Sequence, residues 1–202
     1  MEIIRGIDQN TDEWMSLRLA SVGSTAINKI APQADAYKNL VYTFAGEYLS
    51  KTKAESTSFR YASRGHEFEP IAREEYKIIK DVDVELITMV KGDKPHQHTS
   101  TDGIIGTDGI LEVKTRTPAE WLKLAEGKMH PIADRRQYWW DLYICHDRKW
   151  VDYCNYCPEL HQAGRDYILI DRITRDYKMI SELKHVADKF INEMLALANK
   201  YR

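Results

Sequence analysis

The chain has 202 residues, 43% hydrophobic and 30% charged, with only ten Gly and six Pro; this suits one domain with its own core and excludes collagen-like, low-complexity and largely disordered chains. Twenty-nine Lys and Arg stand against 31 Asp and Glu, a formal charge of −2, so a nucleic-acid site would have to come from local clusters and not from bulk charge. The richest apolar stretch, Tyr138 to Cys145, is broken by Asp141 and falls short of a membrane helix, and Met1 to Asp8 lacks the apolar core of a signal peptide, so a cytoplasmic protein without disulfides is expected.

No repeat or linker-like stretch interrupts the sequence, so residues 1–202 read as a single unit. Helices are predicted over Asp12 to Ala20, Asp35 to Leu49 and Ser63 to Lys80, where apolar residues recur at helical spacing. Val82 to Val90 is rich in β-branched residues and predicts a strand. Asp102 to Lys114 predicts two short strands around Gly106-Thr107-Asp108-Gly109. Helices follow at Pro118 to Glu126 and Ala133 to Cys145, and strands at Lys149 to Tyr156 and Tyr167 to Asp171. From Met179 onward Ile180, Leu183, Val186, Ala187, Phe190, Ile191, Met194 and Leu195 mark an amphipathic helix. A helical N-terminal part followed by strands flanked by helices predicts an α/β, α+β-like fold with a mixed central sheet covered on its faces.

The mid-chain hairpin packs Asp102, Asp108, Glu112 and Lys114 into thirteen residues. Glu112 and Lys114 are two apart on one strand and share a face, while Val113 can offer its backbone carbonyl at the strand edge. Asp102 joins that face if the connecting loop has an odd number of residues. A three-residue Thr107-Asp108-Gly109 loop with Gly109 left-handed satisfies this, and a two-residue Asp108-Gly109 turn does not. In the first geometry the Asp102 and Glu112 carboxylates can share Mg²⁺ or Mn²⁺. The cation would neutralise phosphate oxygens and acidify a bound water, and Lys114 would orient that water or meet charge building on phosphorus. The competing reading is a solvated hairpin with ordinary turn aspartates and an exposed Glu112–Lys114 pair.

Ser100-Thr101-Asp102-Gly103 followed by Glu112-Val113-Lys114 resembles the catalytic signature of the PD-(D/E)XK nucleases, and the chain around it resembles the lambda exonuclease and YqaJ-type viral recombinase group. Glu13-Trp14-Met15-Ser16-Leu17-Arg18 with Val22-Gly23-Ser24-Thr25 is similar to that group's N-terminal segment. Arg64-Gly65-His66-Glu67-Phe68-Glu69-Pro70 is similar to its R-G-x-x-x-E segment, and Gln137-Tyr138 to its downstream Gln helix. Thr101 stands where the superfamily name has Pro, and Trp139 where related chains often carry a second Gln. The resemblance implies a restriction-endonuclease-like core in which Asp102, Glu112, Glu69 and the Val113 carbonyl bind metal, with Glu67 a less favoured alternative to Glu69. Lys114 would serve the water and Gln137 would face the site. Arg18, Thr25 and Ser100 would hold a 5′-phosphate, with Ser24 as an alternative to Thr25. It implies a Mg²⁺-dependent 5′-to-3′ exonuclease of double-stranded DNA ends, phage or prophage encoded in a bacterial host cell. It further implies a homotrimeric ring and a single-strand annealing recombinase as partner.

Other signals carry less. Cys154 and Cys157 form a C-x-x-C without visible further ligands, and His96 and His98 suit solvent better than metal. Trp139, Trp140, Tyr143 and Trp150 fit a core better than base stacking. Arg135 and Arg136 with Lys114 and Arg116 make the best local basic patch for a duplex backbone.

Overall fold

The computed structural model describes residues 1–9, 11–32, 36–54 and 59–202, apart from the side chains of residues 59–64 and 66. Its elements in chain order are β1 (Glu2–Ile4), α1 (Asp12–Leu17), α2 (Ser24–Ile30), α3 (Ala36–Ser50), α4 (Phe59–Lys80), β2 (Met89–Lys91), β3 (His98–Thr99), β4 (Gly103–Ile105), β5 (Gly109–Thr115), α5 (Pro118–Ala125), α6 (Ile132–Ile144), β6 (Trp150–Tyr156), α7 (Pro158–Gln162), β7 (Ile168–Thr174) and α8 (Tyr177–Asn199). Strands β4 to β7 form a four-stranded sheet in the order β4-β5-β6-β7. β5 and β6 run parallel and the outer pairs antiparallel, which is the mixed sheet expected. The parallel pair needs a long crossover, supplied by α5 and α6.

Alternation along the strands sends side chains to two cores. Ile104, Ile110, Val151 and Tyr153 pack with α2, α3, α6 and α8. Ile105, Leu111, Val113, Cys154 and Tyr156 point the other way, onto Ala72 and Tyr76 of α4. The sheet is thus covered on both faces, and its central strands are buried nearly throughout, as strands between two helical layers must be. On the α4 side Asp152 of β6 accepts from Tyr76 Oη at 2.6 Å and from both arms of Arg172, so the helix is tied to the sheet by a satisfied polar contact as well as by packing.

Local chemistry sets the helix ends. Thr117 and Glu120 form a reciprocal capping box with Pro118 at the first position of α5. Asp176 caps α8 by accepting from the Lys178 and Met179 amides, both at 3.0 Å.

Three predictions are corrected. Of Val82 to Val90 only Met89 and Val90 enter a strand, extended to Lys91; the remainder touches the main sheet through one isolated Glu85–Ile104 bridge. β2 instead joins β1 and β3 in a separate three-stranded antiparallel sheet, whose partners are too short for a periodicity signal. The hairpin loop is three residues long but lies at Gly106-Thr107-Asp108, with Gly106 left-handed at φ +50°. Gly109 instead starts β5, where a Cβ would lie 2.2 Å from the Trp150 ring. The odd count survives the shift. The basic patch loses two of its four members, while Arg135 and Arg136 stay partly exposed on α6. Arg116 is buried against Asp134 and Asn155, and Lys114 is paired with Glu112. Residue 35 of the second predicted helix lies outside the described residues.

Candidate functional site

The strand β5 ends between α4 and α6, and the polar residues of the sequence signature gather there. Asp102 immediately precedes β4, and its Oδ2 accepts the Val113 amide at 2.6 Å. Because the N–H and C=O of one strand residue point the same way, the Val113 carbonyl is directed to this same open edge. Glu112, only 2% exposed, turns to the α6 side. Its Oε1 accepts from Lys114 Nζ at 2.9 Å and from Gln137 Nε2 of α6, while its Oε2 is buried with no hydrogen-bond partner among the described residues. From α4, Glu69 pairs with Arg73 one turn on, and Arg73 Nε donates to the Asp102 carbonyl at 3.0 Å. The predicted set Glu69, Asp102, Glu112, Val113, Lys114 and Gln137 therefore meets at one sheet end. Glu67 is exposed.

Electrostatics follow from packing several carboxyls into a water-poor site. Burial, then the Asp102 charge, pushes the Glu69 carboxyl up to about 7. Burial, then Asp102, raises the Glu112 carboxyl well above the usual range, with Lys114 offsetting part. Burial would lower the Lys114 ammonium, but Glu112 and Asp102 outweigh it and hold its pKa above the ordinary value.

For Glu69 this is also a statement about stability. Its carboxyl titrates near 4.5 when unperturbed and near 7 when folded. The folded state thus keeps the proton over that window, and the contribution present below pH 4.5 is lost as the pH rises to 7. In EDTA, Glu69→Gln, which has no such proton to lose, is expected to gain roughly 2 to 3 kcal/mol on the parent between pH 5 and pH 8. Urea unfolding at the two pH values reads the difference, and equal pH dependence in the two proteins would refute this environment for Glu69.

No three His, Cys, Asp or Glu groups among the described residues converge closely enough to form a ready-made cation cage, and Glu112 Oε1 and Asp102 Oδ2 accept from donors of the chain itself. The donor set nonetheless fits a hard divalent cation. It consists of oxygens, it carries carboxylates whose mutual repulsion a cation would relieve, and it includes the orphaned, buried Glu112 Oε2.

A second group lies beside it. The segment from Ser21 to Thr25 runs parallel to residues 96–98 through the Val22–Gln97 bridge, with Val22 N donating to His96 O and His98 N to Val22 O. This sets Thr25, exposed at the start of α2, next to the segment carrying Ser100, whose buried Oγ has no partner among the described residues. Arg18 caps α1 and stacks on Trp14 at 4.1 Å. The turn after it is pinned by buried Glu47, which accepts from the Ala20 amide and pairs with Lys53. His98, hydrogen-bonded to Ser21, is held near 3 by burial and then by the Arg18 and Lys53 charges, and stays neutral.

Two residues here were not picked out from the sequence. Arg73 is one turn beyond Glu69. Asp141, fully buried, is one turn beyond Gln137 and accepts on Oδ1 from both Ser24 Oγ and Thr99 Oγ1. The i, i+4 rule applied to each predicted site residue would have found both. The cysteines are free and buried, and no metal-binding group forms around them among the described residues.

The chain matches the YqaJ-like viral recombinase domain family over residues 13–146. Among solved structures it is similar to an alkaline exonuclease, LHK-Exo, from Laribacter hongkongensis, at 24% identity and a TM-score of 0.82, covering 95% of this chain and 96% of that one. The same exonuclease in complex with dAMP is similar at 25% identity and a TM-score of 0.80, with the same coverage. A phage-related exonuclease from Haemophilus somnus 129PT is similar at 14% identity and a TM-score of 0.67, covering 90% of this chain and 96% of that chain. No curated protein matches the chain.

Proposed function

The chain belongs to the YqaJ-like viral recombinase domain family and is a DNA nuclease, and we propose that it is a Mg²⁺-dependent 5′-to-3′ exonuclease of double-stranded DNA ends. The observation that carries this reading is the hydrogen-bonded chain at one strand end, from Glu69 through Arg73 to the Asp102 carbonyl and from the Asp102 carboxylate to the Val113 amide, with Lys114 and Gln137 both bound to Glu112. Bound there, Mg²⁺ or Mn²⁺ would neutralise phosphate charge and lower the pKa of a water ligand. Gln137 fixes the Glu112 carboxylate, and Arg73 fixes Glu69 against Asp102. Lys114, charged throughout the working range, is a donor for charge developing on the scissile phosphate. Arg18 supplies a guanidinium fork for a terminal 5′-phosphate, with the Thr25 and Ser100 hydroxyls as further donors.

In this proposal the enzyme releases 5′-mononucleotides and leaves a 3′ single strand for a single-strand annealing recombinase. Residues 1–202 act as one domain, assembled into a homotrimeric ring in the cytoplasm of a bacterial host, from a phage or prophage gene. No helix among the described residues is long and apolar enough to cross a membrane.

The testing experiment compares linear duplex carrying 5′-phosphate, linear duplex carrying 5′-hydroxyl and closed circular DNA, each with Mg²⁺ or EDTA. Cleavage is expected only of the linear forms with metal, faster with the phosphate. Losing one charge-assisted contact costs about 1.5 to 3 kcal/mol, so Arg18→Ala is expected to reduce the phosphate preference by roughly one to two powers of ten at fixed salt. Cleaved circles would overturn the exonuclease, and a parent rate ratio near one would overturn the 5′-phosphate pocket.

A further inference from the structure

The buried carboxylate of Asp141 joins three segments, α6, the start of α2 and β3, at a single oxygen. It projects from α6 one turn after Gln137, is completely shielded from solvent, and accepts on Oδ1 from Ser24 Oγ at 3.1 Å and from Thr99 Oγ1, while those two hydroxyls lie 3.3 Å apart. A hydroxyl has one hydrogen to give. Ser24 and Thr99 both spend theirs on Asp141, which withdraws Ser24 as a donor to any ligand and leaves exposed Thr25 to fill that role. Each pinned residue directly precedes a proposed phosphate donor: Ser24 precedes Thr25, and Thr99 precedes Ser100, whose buried Oγ has no partner among the described residues. Asp141 Oδ2 is likewise buried without a partner among them. Burying an incompletely paired carboxylate is costly, so the residue is poorly suited to a role in packing alone.

We propose that Asp141 is a positioning residue for the DNA end: by gathering the Ser24 and Thr99 hydroxyls on one oxygen it sets the spacing of Thr25 and Ser100 and holds this phosphate cradle in register with Gln137 and the metal-binding edge. Asp141 touches no substrate in this account. It acts through the two hydroxyls, and its contribution is geometry and not charge. The inference rests on the 5′-phosphate reading above.

The test separates geometry from charge. Asp141→Asn and Asp141→Leu both remove the charge, but only the amide keeps an oxygen that accepts from both hydroxyls. The measured quantity is the ratio of kcat/KM for 5′-phosphorylated over 5′-hydroxyl duplex ends, at fixed salt and Mg²⁺, with thermal unfolding of each variant alongside. Asp141→Asn is expected to keep the ratio within about threefold of the parent. Asp141→Leu is expected to lower it by about tenfold or more, the loss falling on KM for the phosphorylated end, as is characteristic of a lost binding contact. Thr99→Val keeps the side-chain shape and deletes one hydroxyl; it is expected to lower the ratio in the same direction, and it carries the test if Asp141→Leu does not fold. An unchanged ratio in Asp141→Leu, or in Thr99→Val where that variant carries the test, overturns the inference, as does a loss in Asp141→Asn equal to that in Asp141→Leu. If the parent discriminates, and Arg18→Ala loses that discrimination while Asp141→Leu keeps it, the Asp141 inference alone fails. A parent ratio near one removes the cradle itself and the inference with it.

Discussion

Glu112→Gln is expected to reduce Mg²⁺-dependent cleavage by about a thousandfold or more while leaving the thermal midpoint equal to or above that of the parent. The two halves of this result have one cause. The carboxylate lies fully within the protein, its Oε2 meets no donor among the described residues, and burial and Asp102 both oppose its charge. As a structural element it is therefore expensive, and an amide of the same shape removes the charge while keeping an oxygen for the Lys114 and Gln137 donors. As a ligand it is a hard anionic oxygen at the strand end, and the several kcal/mol of transition-state stabilisation that a bound cation supplies depend on it; about 4 kcal/mol corresponds to roughly a thousandfold in rate. Asp102→Asn should behave alike in activity. Its Oδ2 accepts the Val113 amide, so the Asn variant should fold only if its amide oxygen takes that place. Single-turnover cleavage, calorimetric Mg²⁺ titration and thermal unfolding of the two variants decide the matter. Turnover within tenfold of the parent in either would place the metal site elsewhere.

What could be read from the sequence follows from the range over which each signal acts. α8 was visible because an apolar period of 3.6 runs through its 23 residues, and β6 because its run of large side chains is bounded by turn residues. The grouping of Asp102, Glu112 and Lys114 was visible because strand parity is a local rule. It tolerated a one-residue error in the loop, since a shift that keeps the count odd keeps the face. Val82 to Val90 misled because β-branched composition reports fit to a half-buried surface and not strand pairing; most of that stretch runs beside the sheet and pairs through Glu85 alone. β1 and β3 are three and two residues long, too short for any period. Arg116 looked like a surface cation because charge in sequence carries no burial information; its partners Asp134 and Asn155 are 18 and 39 residues away in sequence. Asp141 stood out only as a break in an apolar stretch; its partners Ser24 and Thr99 are 117 and 42 residues away in sequence, beyond the reach of any local rule.

Lys114→Met is expected to lower cleavage by about a hundred- to a thousandfold, the usual loss for one donor aimed at developing charge, while DNA-end binding and Mg²⁺ binding persist. The ammonium is bound to Glu112 Oε1 at 2.9 Å, and the Glu112 and Asp102 charges outweigh burial to raise its pKa above that of a free lysine. A group held charged in this way cannot take a proton from water near neutral pH; it can only donate, so its part in hydrolysis is electrostatic and not general-base. Two consequences follow from this role. Loss of the side chain should lower kcat with little change in KM, since the contact strengthens only as charge builds on phosphorus. Lys114→Arg should remain far below the parent despite its positive charge, because a planar fork cannot occupy the point-charge position between Glu112 and the strand edge. Single-turnover rates of both variants, with end binding measured in Ca²⁺ to prevent turnover, give the answer. Near-parent activity in Lys114→Arg would mean that positive charge alone suffices, and near-parent activity in Lys114→Met would assign the donor to another cation.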